Sequence, residues 1–291
     1  MTDAADAGVR AALRRVWPDP RTVETAEIRA LRGGLNARSY LVVAGERRHV
    51  LRLPVASAVA WLDLAAEARA MRAAAAADLA PPVIAFDVEA GLLLTDYRAA
   101  PWTPELARRP AAVARVARLL RALHRVSVDL PVYSVRWFAT TYLAALGGER
   151  ARPFQAEEAQ WASELTTLGE KFDAEHPPAA FCHNDLAAAN ILGDAAAARL
   201  IDFEYAGHGA PLLDLASFAG MNGLAKSQRR QLLDEYYGTA SAVPAMRDLN
   251  NAIRLVKLLA YFWGRVAEVR LADARAHTKL AANFGELLRQ D

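Results

Sequence analysis

The sequence predicts an α+β chain in two unequal lobes, a small N-terminal one of antiparallel strands with one long helix and a larger, mainly helical C-terminal one. Three observations predict it. Short apolar runs divided by glycine turns fill the stretch from 28 to 53. Apolar residues at helical spacing then recur through most of the chain, beginning with Trp61, Leu64, Ala68 and Met71. Between the later helices lies one polar stretch, FCHNDLAAANILGDAAAARLIDFEYAGHGAPLLDLASF (Phe181 to Phe218), with two brief apolar frames inside it.

In chain order, Val9 to Trp17 reads as a short amphipathic helix ended by Pro18 and Pro20. Ile28 to Arg32, the pair Gly33-Gly34 and Leu35 to Val43 read as strand, turn and strand. Gly45-Glu46 then turns into a third strand, His49 to Leu53. Glycines at the first turn let backbone N–H groups approach a phosphate, although a plain tight turn uses the same pair. Arg52, on the third strand, reads by itself as a solvent-facing cation. An alanine-rich helix is expected from Ala58 to Ala77. Glu67 lies one residue off its apolar stripe, placed to pair with Arg52 or to be solvated. Val83 to Asp87 and Leu92 to Thr95 follow as strands, the second wholly apolar and suited to the middle of a sheet.

Beyond Thr95 the pattern turns helical. Pro110 fits a first helical position ahead of Val113, Val116, Leu120 and Leu123, with His124 at the helix end. Trp137, Phe138 and Tyr142 mark a short helix. Trp161, Leu165, Leu168 and Phe172 mark another, closed by His176-Pro177-Pro178. Gly207 to Pro211 reads as a turn-rich connector, and helices at Lys226 to Tyr237, Leu249 to Val269 and Ala276 to Leu288 complete the chain.

The chemistry sits in the polar stretch. Strands around Ile191 and before Asp202, joined at Gly193-Asp194, would hold Asp185, Asn190 and Asp202 at one end of a hairpin, and Glu204, two residues beyond Asp202 in a strand-like segment, would face the same cleft. A loop carboxylate beside an amide and a second carboxylate suits one job well. The first accepts a hydroxyl proton, and the other two hold Mg²⁺ on a nucleotide phosphate. A buried polar hairpin whose Asp and Asn cap turns would use the same residue types.

H-N-D-x-x-x-x-N followed by I-D-F-E is similar to the catalytic and metal-binding loops of protein-kinase-like phosphotransferases. Within these the chain resembles the aminoglycoside phosphotransferase superfamily, and most closely the choline/ethanolamine kinase family. Cys182 to Leu186 and Ile201 to Gly207 carry the resemblance. It implies a protein-kinase-like two-lobed fold, with an N-lobe at 1–95, a hinge at 96–101 and a C-lobe at 102–291. It also implies transfer of the γ-phosphate of ATP, with Mg²⁺, to a hydroxyl. Asp185 would be the base or hydroxyl positioner, and Asn190 and Asp202 the metal ligands. Gly33, Gly34, Asn36, Ser39, Arg52, Glu67, Asp96 and Tyr97 would surround the nucleotide, with arginine where protein kinases place a lysine. Asp214, in D-L-A, would brace the catalytic loop. Leu259 to Val266 resembles the F-W-G-x-W run of choline kinases and implies Glu204, Tyr205 and Trp263 at an acceptor ammonium. Two departures stand out: the second tryptophan of that run is Val266, and Phe218 is followed by Ala219-Gly220-Met221.

An amino alcohol such as choline or ethanolamine therefore leads as acceptor, with aminoglycosides, thiamine and other small alcohols open. A protein kinase is disfavoured because only a short turn separates Asp202 from Asp214, leaving no room for a peptide-docking segment. A nucleotide-binding pseudokinase scaffold would be expected to lack Asp185, Asn190 or Asp202, and all three are present.

Composition sets the outer limits. With 291 residues and 54% hydrophobic content, the chain fits one large two-lobed domain or two domains. The 35 basic and 33 acidic residues leave a net charge of +2, too little to imply a nucleic-acid partner. Cys182 is the one cysteine, which excludes an intrachain disulfide and a cysteine zinc cluster. The N-terminus lacks a basic and an apolar region, and no long uncharged apolar run occurs. A cytoplasmic protein without a membrane partner is expected, its oligomeric state and its choice of ATP or GTP left open.

Overall fold

Apolar residues at every second position of two neighbouring segments give the N-terminal sheet its buried face. The computed structural model describes residues 3–17, 19–31, 37–55, 62–148, 152–194, 197–238, 244–270 and 274–290. Helix α1 (Asp3–Val16) and the turn α2 (Pro20–Val23) lead into β1 (Glu27–Ala30), β2 (Ala37–Ala44) and β3 (Arg47–Pro54). Helix α3 (Leu64–Ala76), β4 (Val83–Asp87) and β5 (Leu92–Asp96) follow. The strands pair antiparallel in the order β1-β2-β3-β5-β4. Tyr40 and Val42 of β2, Leu51 of β3 and Leu92 and Leu94 of β5 meet Val9, Leu13 and Val16 of α1 in a core of their own. Strand β5, with its run of three leucines at Leu92 to Leu94, is an interior strand, as its composition predicts.

Helix α3 is shorter than its alanine content suggests. The Asp63 carboxylate accepts from the Ala66 N–H at 2.9 Å and caps the helix, so Leu64 rather than Ala58 is its first residue. Trp61 lies outside the described residues. Ala68, Met71 and Ala74 of α3, with Phe86 and Leu93, join the large core of the C-terminal helices. One layer therefore connects the sheet to the rest of the chain.

The larger part comprises α4 (Pro104–Ala107), α5 (Pro110–Leu123), α6 (Val135–Leu146) and α7 (Ala156–Glu175). Short strands β6 (Ala180–Cys182), β7 (Ile191–Leu192), β8 (Arg199–Leu200) and β9 (Gly207–Gly209) come next. They are followed by α8 (Pro211–Met221), α9 (Lys226–Tyr237), α10 (Met246–Arg270) and α11 (Ala274–Arg289). Thr103 and Ser134 cap α4 and α6 through their hydroxyls, and Pro104, Pro110 and Pro211 open the first turns of α4, α5 and α8. Strands β7 and β8 pair antiparallel, Ile191 opposite Leu200. Gly193 turns the chain after β7 at φ +92°, where a Cβ would lie 2.9 Å from the Ala197 carbonyl oxygen.

Two segments depart from expectation. Gly207–Gly209 is a strand, paired antiparallel with β6, and not a turn-rich connector. A Cβ on Gly207 would sit 2.6 Å from the Tyr133 ring, so its glycine marks a close approach and not a bend. The second departure is that β8 stops at Leu200. Asp202 adopts φ 67°, so no strand carries Asp202 and Glu204 to one face. Among the described residues no helix is long and apolar enough to cross a membrane.

Candidate active site

Strand β6 delivers the chain into His183-Asn184-Asp185. The N–H groups of His183 and Asn184 donate to the two oxygens of buried Asp214 at 2.8 and 2.7 Å. Asp214 lies in the first turn of α8, where the exposed N–H groups of a helix favour negative charge. Its Oδ2 also meets His124 Nε2 at 3.0 Å, and His124 Nδ1 meets the Tyr236 hydroxyl at 2.7 Å. The histidine at the end of α5 is thus a bracket. Asn184, held at φ 64°, donates from Nδ2 to the Tyr205 carbonyl at 2.9 Å. Further along, Leu186 N–H donates to Ser217 Oγ at 2.9 Å and Ala188 N–H to Asn222 Oδ1 at 2.8 Å. Side chains of α8 and the residue capping it therefore fix the loop while leaving the Asp185 side chain uncommitted to its architecture.

Asn190 ends a 3₁₀ turn, and its Nδ2 donates to Asp185 Oδ2 at 2.9 Å and to the Asp185 carbonyl at 3.0 Å. The amide oxygen is left as the atom Asn190 can offer a cation. Asp202 enters from the other side, its Oδ1 accepting from Arg52 Nη1 at 2.5 Å. Asp185, Asn190 and Asp202 line one cavity of about 350 Å³. Burial pushes the Asp185 carboxyl above its ordinary range; His183 opposes this, and the neighbouring Asp202 adds to it.

Arg52 joins the strands, α3 and Asp202. Its Nη2 donates to Glu67 Oε1, on a side chain with no exposed surface. Burial alone would lower the guanidinium's pKa, but Glu67, Asp202 and Glu204 outweigh it and hold the charge. Burial raises the Glu67 carboxyl against the pull of Arg52, and among the described residues Glu67 Oε2 has no hydrogen-bond partner. The carboxylate therefore depends on this one cation. Arg52→Met is expected to lower the unfolding free energy by about 3–5 kcal/mol in urea titrations, because it strands a buried charge. The Arg52→Met/Glu67→Met pair should recover most of that loss. A cost under about 1 kcal/mol for the single variant would show a pair that behaves as if solvated.

The donor set near Asp202 fits Mg²⁺. An amide oxygen of Asn190 and a carboxylate oxygen of Asp202 are hard ligands, and Mg²⁺ takes one or two carboxylates and leaves its other positions to phosphate and water. Among the described residues, His124, Cys182 and Asp214 stand close enough to share an ion. The His124 and Asp214 atoms are already engaged with each other, with Tyr236 and with His183, and burial raises the Cys182 thiol. That cluster is structural.

Of the remaining expected nucleotide residues, Ser39 lies opposite Arg52 in the sheet and lines the same cavity. Gly33, Gly34 and Asn36 lie outside the described residues. Asp96 and Tyr97 do not line the cavity. Their N–H groups already donate to Pro82 at 3.0 Å and Arg48 at 2.9 Å. Backbone contact between these two residues and a base is therefore limited to carbonyl oxygens.

Glu204, Tyr205 and Trp263 line the cavity too, and Trp263 Nε1 donates to the Tyr205 hydroxyl. Three aromatic residues that the sequence did not single out for this role stand with them: Phe138 and Tyr142 from α6 and Phe284 from α11. Burial, reinforced by nearby carboxylates, keeps the Tyr142 and Tyr205 phenols protonated. Val266 is buried in the core and does not line the cavity. The residue standing where the choline-kinase run has its second tryptophan thus takes no part in the cavity wall.

A family model described as "Phosphotransferase enzyme family" matches residues 27–249, a span that includes the sheet, Arg52 and the Asp185–Asp202 cluster. The chain belongs to that family. No curated protein matches this phosphotransferase. Its structure is similar to that of a choline/ethanolamine kinase family protein from Mesorhizobium loti, with TM-score 0.76 and 24% identity over 97% of this chain and 94% of that one. It is similar also to choline kinase LicA from Streptococcus pneumoniae, with TM-score 0.81 and 14% identity over 99% and 100% of the two chains. Spectinomycin phosphotransferase, solved with ADP and spectinomycin, matches at TM-score 0.64 and 13% identity over 96% and 93%. The protein-kinase-like fold expected from the two loop motifs is the fold these enzymes share with the chain.

Proposed function

We propose that this phosphotransferase transfers the γ-phosphate of ATP, with Mg²⁺, to the hydroxyl of a small amino alcohol of the choline or ethanolamine type. The observation that carries the proposal is one cavity whose lining holds both Asp185, Asn190 and Asp202 and a cluster of aromatic side chains beside Glu204. Asp185 accepts or orients the acceptor's hydroxyl proton. Asn190 and Asp202 hold the metal, which when bound neutralises charge on the phosphate oxygens. Arg52, fixed by Glu67, exchanges part of its hold on Asp202 for phosphate oxygens, which a planar guanidinium can grip in pairs. Residues 1–95 with Ser39 and the segment Gly33, Gly34 and Asn36 would cover the nucleotide, 96–101 would act as hinge, and 102–291 would carry the acceptor. The ADP complex of the structurally similar spectinomycin enzyme supports nucleotide use.

An ammonium group suits the aromatic faces of Tyr205 and Trp263, each worth about 0.5–2 kcal/mol to a cation. An aminoglycoside carries several ammonium groups, whereas among the described residues Glu204 is the one acid lining the cavity besides Asp185 and Asp202. Glu204→Gln and Trp263→Ala are each expected to raise the acceptor KM about 5- to 30-fold, the equivalent of 1–2 kcal/mol, and to leave the KM for ATP alone. A coupled ATP-consumption screen over amino alcohols, thiamine, aminoglycosides and neutral polyols tests the class. Preference of the parent enzyme for a neutral alcohol would overturn the amino-alcohol assignment and spare the phosphoryl transfer.

A further inference from the structure

The polar part of the cavity and the part that helices build differ sharply in chemistry. Polar groups such as Ser39, Arg52, Asp185 and Asp202 come from the sheet and the loops. Helices α8, α10 and α11 instead contribute Leu213, Met221, Val256, Leu259, Leu280 and Phe284. Ser217 is the one hydroxyl among them, and it already accepts the Leu186 N–H. Apolar side chains at one-turn spacing on neighbouring helices ordinarily interdigitate until no void is left, because an unfilled gap forfeits dispersion contacts. Here they border a cavity of about 350 Å³ that they share with the strand and loop residues. Choline and ethanolamine are smaller than the drug-sized ligands that apolar-walled cavities ordinarily enclose. Neither offers apolar surface to match so many aliphatic walls.

We infer that the acceptor is an amphiphilic amino alcohol, its hydroxyl at Asp185, its ammonium at Tyr205 and Trp263, and an aliphatic or aryl body of several carbons seated among Leu213, Met221, Val256, Leu259, Leu280 and Phe284. This rests on the phosphotransferase assignment above and narrows its substrate class. In the transfer, the acceptor oxygen bonds to the γ-phosphorus as the bond to the β,γ-bridging oxygen of ATP breaks. The hydroxyl proton passes to Asp185, ADP leaves with the bond's electrons, and the apolar body takes no part except to bind.

The test is a homologous series, N-alkyl-N,N-dimethylethanolamines from methyl (choline) to octyl, assayed below their micelle concentrations. kcat/KM is expected to climb about fourfold per methylene, the equivalent of ~0.8 kcal/mol per buried CH₂, and to level off once the cavity is full. Ala260→Phe, which intrudes on the same cavity, should cut the octyl-to-choline ratio of kcat/KM at least tenfold while the melting temperature shows the fold retained. A choline kcat/KM equal to or above those of the butyl and hexyl homologues overturns the inference and leaves the phosphotransferase intact. Calorimetry with alkyltrimethylammonium ions, which lack the hydroxyl, separates the other failure. Chain-length-dependent binding with no alcohol phosphorylated would keep the apolar site and overturn the transfer.

Discussion

Asp202→Asn is expected to lower phosphoryl transfer by about 10²–10³ or more while the protein stays folded, as removal of a group that stabilises transition-state charge does. The substitution is close to isosteric, and asparagine is among the few residues that adopt a left-handed backbone readily. The φ of 67° at position 202 is therefore kept. An amide oxygen can still accept from Arg52, so the link to Glu67 and α3 is weakened and not severed. What the amide lacks is the negative charge that, on the proposed reading, would hold Mg²⁺ against a polyanionic phosphate. Melting within a few degrees of the parent, together with loss of turnover that saturating Mg²⁺ does not restore, is the expected pair of results. Turnover near that of the parent at saturating Mg²⁺ would remove Asp202 from the metal site.

Which parts of this arrangement were legible in the sequence follows from how local their causes are. The β7–β8 hairpin was legible because Ile191-Leu192 and Leu200 are short apolar runs around a glycine turn, and helix α9 runs from Lys226 to Tyr237 as its pattern predicts. The pairing of Arg52 with Glu67 was legible as an option, since one strand and one helix in sequence order had few ways to pack. The strand at Gly207–Gly209 was not, because a glycine needed for contact with Tyr133 looks the same in sequence as a glycine needed for a turn. Glu204 reaches the cavity, but around a turn and not by strand alternation, so the expected result came with the wrong geometry. Phe138, Tyr142 and Phe284 were missed for a plain physical reason. A helical stripe facing a cavity and a stripe facing a core have the same periodicity, and only the positions of the neighbouring helices tell them apart.

Asp185→Ala is expected to lower kcat by about 10²–10⁴ with little change in the KM for ATP, the signature of a group that acts on the acceptor's proton. The surroundings make this a clean experiment. Asp214 and Ser217 hold the loop through backbone N–H groups, so the loop does not need the Asp185 carboxylate. Asn190 loses its contact with Asp185 Oδ2 but keeps the one to the Asp185 carbonyl at 3.0 Å, which preserves the orientation of its amide. Arg52 is bound to Asp202 and Glu67 and makes no bond to Asp185, so the phosphate side is untouched. Burial disfavours the Asp185 charge, so the alanine variant should melt at or above the temperature of the parent. Loss of activity joined to equal or greater stability is what a side chain kept for chemistry and not for folding predicts. If kcat falls because the protein unfolds, or if the KM for ATP rises as much as kcat falls, Asp185 serves the nucleotide or the fold and some other group must receive the proton.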